Sequence, residues 1–209
     1  MMKYRILVRK LLLRKDKLIT SDELKLICKE LNLTYSSALT YLFNNKYVKR
    51  IVRGFFYIPS IEERRFSNDF PNFYEIIAKA MEYKKVKNWY FGLETAIKFN
   101  NITHEFFTIE YVVSDKIFRA KAFEILGRKV KFVKLNKKLF GFGIKGKLPY
   151  SDLEKTLLDL IHLRLYGGKS KKGIIDELIE WVDEADKKKL KRYSKYYSLR
   201  VRKVLGGLI

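Results

Sequence analysis

Residues 34–59 read TYSSALTYLFNNKYVKRIVRGFFYIP, and within them the spacing of apolar residues changes from helical to extended. Thr34 is a good N-cap, because its hydroxyl oxygen can accept from a free amide of the first helical turn. Tyr35, Ala38, Leu39 and Leu42 then recur along one face of a helix. After Asn44-Asn45 the period shifts. Tyr47 to Val52 predicts a strand, Arg53-Gly54 a tight turn and Phe55 to Ile58 the returning strand, with Pro59 ending the unit.

Two further helices precede this stretch. Thr20 and Glu23 have the spacing of a capping box, and Leu24, Ile27, Cys28 and Leu31 continue as a helical stripe up to the Asn32-Leu33 turn. Residues 3–14 carry a similar stripe at Tyr4, Leu7, Val8, Leu11 and Leu12. Three helices followed by a hairpin predict a winged helix-turn-helix over residues 1–60. Residues 61–72 lack periodicity and contain Pro71, so they read as a linker. From 73 to 209 a larger mixed α+β domain is expected. It has a helix at 73–83, a strand at 88–91 and a helix at 92–100. Extended segments follow near 107–113, 121–126, 129–135 and 139–145, then helices over 151–165, 172–184, 186–196 and 198–206. The fold class is therefore α+β throughout.

In a helix-turn-helix the second helix of the motif enters the major groove. With its apolar stripe turned inward, the third helix presents Ser36, Ser37, Thr40, Tyr41 and Asn44, all able to hydrogen-bond a base edge or phosphate and none acidic. Lys49, Arg50 and Arg53 make the hairpin basic. Alternatives stand beside each assignment: Tyr41 packs under the wing, the hairpin cations are merely solvated, or the winged helix serves protein contact.

Composition agrees with a polyanionic partner. The 209 residues hold 45 Lys plus Arg against 23 Asp plus Glu, a net charge of +22, and residues 1–60 alone hold 13 basic against 4 acidic. An abundance of Lys and Ile with no Gln at all also suits heat adaptation, so charge is not a signature of DNA by itself. Cys28 is the lone cysteine, which excludes a disulfide framework or thiolate cluster. No segment reads as a signal peptide or membrane span, so the expected setting is the cytoplasm.

Enzymatic chemistry finds little support, and neither a metal nor another cofactor is expected. His104 and His162 lie far apart in sequence. Gly167-Gly168-Lys169-Ser170 resembles the end of a phosphate loop, but Leu163 stands where the first glycine belongs, so a helix stop before a basic loop is the better reading. Asp115, Glu124 and Lys129 lack the Glu-x-Lys spacing of a nuclease, Leu126 occupying that place. Asp152, Glu154 and Asp159 read as carboxylates at a helix start. The Lys187–Arg192 run reads as a solvated helix face, with added nucleic-acid affinity as its alternative.

Four further segments stand in order along the chain: Arg53-Gly54-Phe55-Phe56-Tyr57-Ile58-Pro59, Tyr90 to Thr103, Ser151-Asp152-Leu153-Glu154-Lys155-Thr156-Leu157-Leu158-Asp159, and Tyr197 to Gly206. Together they resemble the AbiEi family of abortive-infection antitoxins, which are also transcriptional regulators. Phe56 and Asn101 depart from the family's usual Tyr and Gly. The resemblance implies a nucleotidyltransferase-like toxin as functional partner, neutralised without a tight complex. It also implies autorepression through double-stranded operator DNA with inverted repeats, and a C-terminal domain that carries the antitoxin activity. The alternatives are a winged-helix transcription factor with an unrelated effector-binding C-terminal domain, or a DNA-processing enzyme.

Overall fold

The computed structural model describes residues 2–66 and 72–209. They form a mixed α+β chain that divides into two compact units, residues 1–85 with 124–128 and residues 86–123 with 129–209.

In the first unit, helices α1 (Met2–Leu12), α2 (Ser21–Glu30) and α3 (Tyr35–Asn44) accompany strands β1 (Leu18–Thr20), β2 (Lys49–Val52) and β3 (Phe55–Tyr57). The strands form an antiparallel sheet in the order β1-β3-β2. The capping box at α2 is formed: Glu23 N–H donates to Thr20 Oγ1 at 3.2 Å, and Thr20 N–H donates to Glu23 Oε2 at 2.8 Å. Thr34 has the extended backbone of an N-cap, but its side chain makes no capping bond. Leu7, Leu11, Ile19, Leu24, Cys28, Ala38, Leu42, Val48, Phe56 and Ile58 are the core. Burial pushes the Cys28 thiol up, away from the reactive thiolate.

The boundary expected at residue 60 does not coincide with this division. Ile61–Phe66 is a helix, α4, held to β3 by a bond of 2.7 Å from the Tyr57 hydroxyl to Glu63 Oε1. Ser60 and Glu63 make a second capping box, with Ser60 N–H on Glu63 Oε2 at 2.7 Å and Glu63 N–H on Ser60 Oγ at 3.1 Å. Helix α5 (Phe73–Tyr83) also belongs to the first unit, where Tyr83 stacks on Phe55 at 4.9 Å. The rest of the expected linker, 67–71, lies outside the described residues.

The second sheet has six strands in the order β6-β7-β5-β4-β9-β8: β4 (Trp89–Phe91), β5 (Ile109–Ser114), β6 (Phe123–Ile125), β7 (Arg128–Lys134), β8 (Ile144–Lys145) and β9 (Tyr150–Ser151). Strands β5 and β7 run parallel, from Ile109↔Lys129 to Ser114↔Lys134. Of the extended segment expected near 139–145, only Ile144–Lys145 is strand; residues 139–140 end a tight 3-10 turn, Lys137–Phe140, started by Asn136, whose side chain accepts from Lys138 N–H. Helix α6 (Leu93–Phe99) follows β4, and α7 (Leu153–Tyr166), α8 (Lys171–Asp183), α9 (Lys187–Ser194) and α10 (Leu199–Leu205) close the chain.

Helix α7 is the axis of the second unit. It packs against α6, α8, α9 and α10, and every residue from Leu153 to Ile161 is buried. A helix covered on all sides needs no amphipathic stripe, which is why charged residues can sit among its leucines only if they are paired.

Candidate nucleic-acid interface

On α3, Ala38 and Leu42 point into the core while Ser36, Ser37, Thr40 and Asn44 are exposed. Among the described residues none of these four side chains is engaged by another, so the polar face is available to an outside partner. Tyr41 is placed differently. It is half-buried, with its ring 4.6 Å from that of Tyr4 on α1 and 6.1 Å from that of Tyr47. Its ring thus packs against α1 and Tyr47, and Tyr41 lines a groove of about 360 Å³ together with Arg5, Val8, Arg9, Leu12, Leu13 and Tyr47.

The β2–β3 turn lies against the start of α2 and is tied down. Ser21 N–H donates to the Gly54 carbonyl at 2.8 Å, and Lys84 Nζ donates to the Arg53 carbonyl at 2.7 Å. The Tyr35 hydroxyl, in the first turn of α3, donates to Ser21 Oγ at 3.0 Å. Gly54 has φ +84, a backbone that favours glycine, and a Cβ there would lie 2.8 Å from the Tyr83 hydroxyl, which would have to shift to admit it. The Arg53 side chain remains exposed. A one-residue bulge between Arg50 and Val52 separates that turn from the start of β2. Arg50 is exposed with its guanidinium 5.1 Å from the Phe43 ring centre, and Lys49 is half-buried. The eight residues therefore divide into four settings: the open face of α3, the packed ring of Tyr41, the anchored turn, and the start of β2.

Sequence reasoning overlooked the basic side chains that α4 adds. Lys46, Lys49, Arg50, Arg64 and Arg65 line a cleft of about 690 Å³ with Phe43, Val48, Glu124 and Leu126, all within the first unit. The Arg64 guanidinium lies 4.8 Å from the Tyr47 ring centre.

In the second unit the carboxylates at the start of α7 and Asp159 within it are engaged by neighbouring side chains, whereas Lys187, Lys188, Lys191 and Arg192 of α9 are exposed. Asp152 is the N-cap of α7, accepting from Lys155 N–H at 2.9 Å, and Lys189 Nζ sits 2.8 Å from both Asp152 and Glu154. Asp159 stands two turns into the helix, not at its start. It accepts from the Tyr90 hydroxyl at 2.6 Å and the Tyr197 hydroxyl at 2.7 Å, and Lys155 Nζ lies 3.3 Å away. Lys155 is fully buried between the rings of Tyr90 and Phe142, at 4.8 and 4.9 Å. Burial pulls its ammonium below the usual lysine range, against the opposing pull of Asp159. The Gly167–Ser170 segment is a helix junction: Gly167 caps α7, Gly168 has φ +82, and Ser170 caps α8 by accepting from Gly173 N–H. Asp115 accepts from the Asn88 side chain at 2.7 Å. Exposed His104 and half-buried His162 belong to no group of three or more metal-binding side chains among the described residues. In that same set no helix is long and apolar enough to cross a membrane.

No family model matches the chain, and no curated protein matches it. The whole chain aligns with the crystal structure of the RV2827C protein from Mycobacterium tuberculosis, at 11% identity and a TM-score of 0.62, covering 76% of that protein's chain. At that identity the likeness is one of fold alone, and the fold is mixed α+β.

Proposed function

We propose that this protein is a sequence-specific DNA-binding transcriptional regulator whose first unit works as a winged helix-turn-helix. The observation that carries the reading is the outward face of α3, where Ser36, Ser37, Thr40 and Asn44 are exposed, unengaged and free of any acidic neighbour on that face. Such side chains match the donor and acceptor pattern of base edges in the major groove. The anchored basic turn at Arg53 supplies the backbone contact that positions the helix. On the resemblance to abortive-infection antitoxins, the regulator is the antitoxin-autorepressor of a toxin–antitoxin pair, acting in the cytoplasm and neutralising a nucleotidyltransferase-like toxin.

Fluorescence anisotropy on the gene's own upstream DNA and on a scrambled duplex, titrated across salt, tests the regulator. Preference for the upstream DNA that survives near-physiological salt is expected. Ser37→Ala should lose about 1–3 kcal/mol of that preference, whereas Arg53→Ala should weaken both duplexes alike and flatten the salt slope. Equal affinity for both duplexes, lost together as salt rises, would leave only the net charge to explain binding. Co-expression with a neighbouring nucleotidyltransferase-like gene tests the antitoxin role separately: restored growth is expected, and arrested growth with operator binding intact would sink it.

A further inference from the structure

We propose that the basic cleft of the first unit is a binding site for a nucleoside polyphosphate. Five cationic side chains, Lys46, Lys49, Arg50, Arg64 and Arg65, meet there around about 690 Å³, with Glu124 the sole carboxylate in the lining. Among the described residues, Lys46, Arg50, Arg64 and Arg65 have no ion-pair partner. Cations gathered this closely repel one another, and a bound anion relieves the repulsion.

Two guanidiniums are already oriented. Arg50 rests over the Phe43 ring and Arg64 over the Tyr47 ring, and Arg64 Nε also donates to the Ser60 carbonyl at 3.3 Å. Held this way they lose little side-chain freedom when their planar forks grip a phosphate. The volume falls within the range of small-molecule sites. Half-buried Phe43 leaves the cleft apolar surface against which a base can lie. Glu124 repels a bare polyphosphate and accepts from hydroxyl or amino donors, so it favours an anion that carries a nucleoside.

Isothermal titration calorimetry of the full chain at near-physiological salt, with ATP, tripolyphosphate and adenosine, tests the site. Saturable one-site binding of ATP is expected, weaker binding of tripolyphosphate, and none of adenosine. The double variant Arg50→Ala/Arg64→Ala should weaken ATP binding by about tenfold or more, its fold checked by circular dichroism. Glu124→Gln leaves the arginines in place and should narrow the preference for ATP over tripolyphosphate. ATP binding that the double variant does not alter, or an unchanged ATP-to-tripolyphosphate ratio in Glu124→Gln, would overturn the assignment. So would a double variant that loses affinity for DNA in a protein that binds no ATP, because the cleft would then serve the nucleic-acid backbone. Ser37→Ala and Arg53→Ala lie outside the cleft lining and should keep full ATP affinity, so failure of the operator reading and failure of this one are read apart.

Discussion

Gly54 joins two requirements at a single residue. Its positive φ costs any side-chain-bearing residue free energy, and the space a Cβ would take already holds the Tyr83 hydroxyl. Gly54→Ala should therefore lower stability by about 1–3 kcal/mol, measured by chemical denaturation. Adding Tyr83→Phe should return the steric part and leave the dihedral part; no return would mean that the hydroxyl gives way without cost. The turn itself was legible from Arg53-Gly54, but its crowding was not, because Tyr83 lies 29 residues further along the chain. Tyr41 makes the opposite point. Helical spacing put it on the polar face, yet its ring packs between Tyr4 and Tyr47, since an aromatic side chain reaches past the edge of its own stripe.

Helix α7 is the element whose energetics depend most on partners. Lys155→Met would leave the Asp159 carboxylate buried without its counter-charge and should cost about 3–5 kcal/mol. Lys155→Met/Asp159→Asn removes both charges while keeping an acceptor for the two tyrosine hydroxyls, and should recover much of that loss. A double variant no better than the single one would show that the ring packing around the ammonium, not the charge, carries the stability. At the start of the same helix, burial opposes ionisation of Glu154, but hydrogen bonds from Lys189 and the Asp186 amide outweigh it and hold the carboxyl below its ordinary 4.5. A lowered carboxylate contributes stability that is present above the unfolded value and disappears as pH falls through the folded one. The stability gap between the native chain and Lys189→Met should accordingly shrink as pH drops below about 4.5. A gap that stays constant with pH would remove Glu154 from the account. Sequence reasoning located α7 but took Asp159 for a helix-start carboxylate, because nothing local reveals that four other helices surround it. At α4 the signal was present and passed over. Ser60-Ile61-Glu62-Glu63 repeats the spacing noticed at Thr20–Glu23, but no apolar stripe follows it to mark a helix. Strand β1, at three residues, is too short to show a period at all.

At the scale of the molecule, the net charge of +22 acts on stability as well as on partners. Self-repulsion strains the compact state and added ions screen it, so the thermal midpoint should rise with sodium chloride before levelling off. A midpoint that falls instead would mean that ion pairs such as Arg164 with Glu94 and Glu177 outweigh the repulsion. The α+β class and the order of most elements were readable from periodicity. The basic cleft was not, since it draws on residues 46–50, 64–65 and 124–126, and no local pattern joins segments so distant. The anchoring of the β2–β3 turn bears on how quickly a partner is engaged. A loop that freezes only on contact surrenders conformational entropy at that moment and slows productive docking. On the proposed reading this turn would meet DNA already in shape, so encounter and long-range attraction would set the association rate, and salt should act mainly on arrival, leaving residence time to the contacts made by α3.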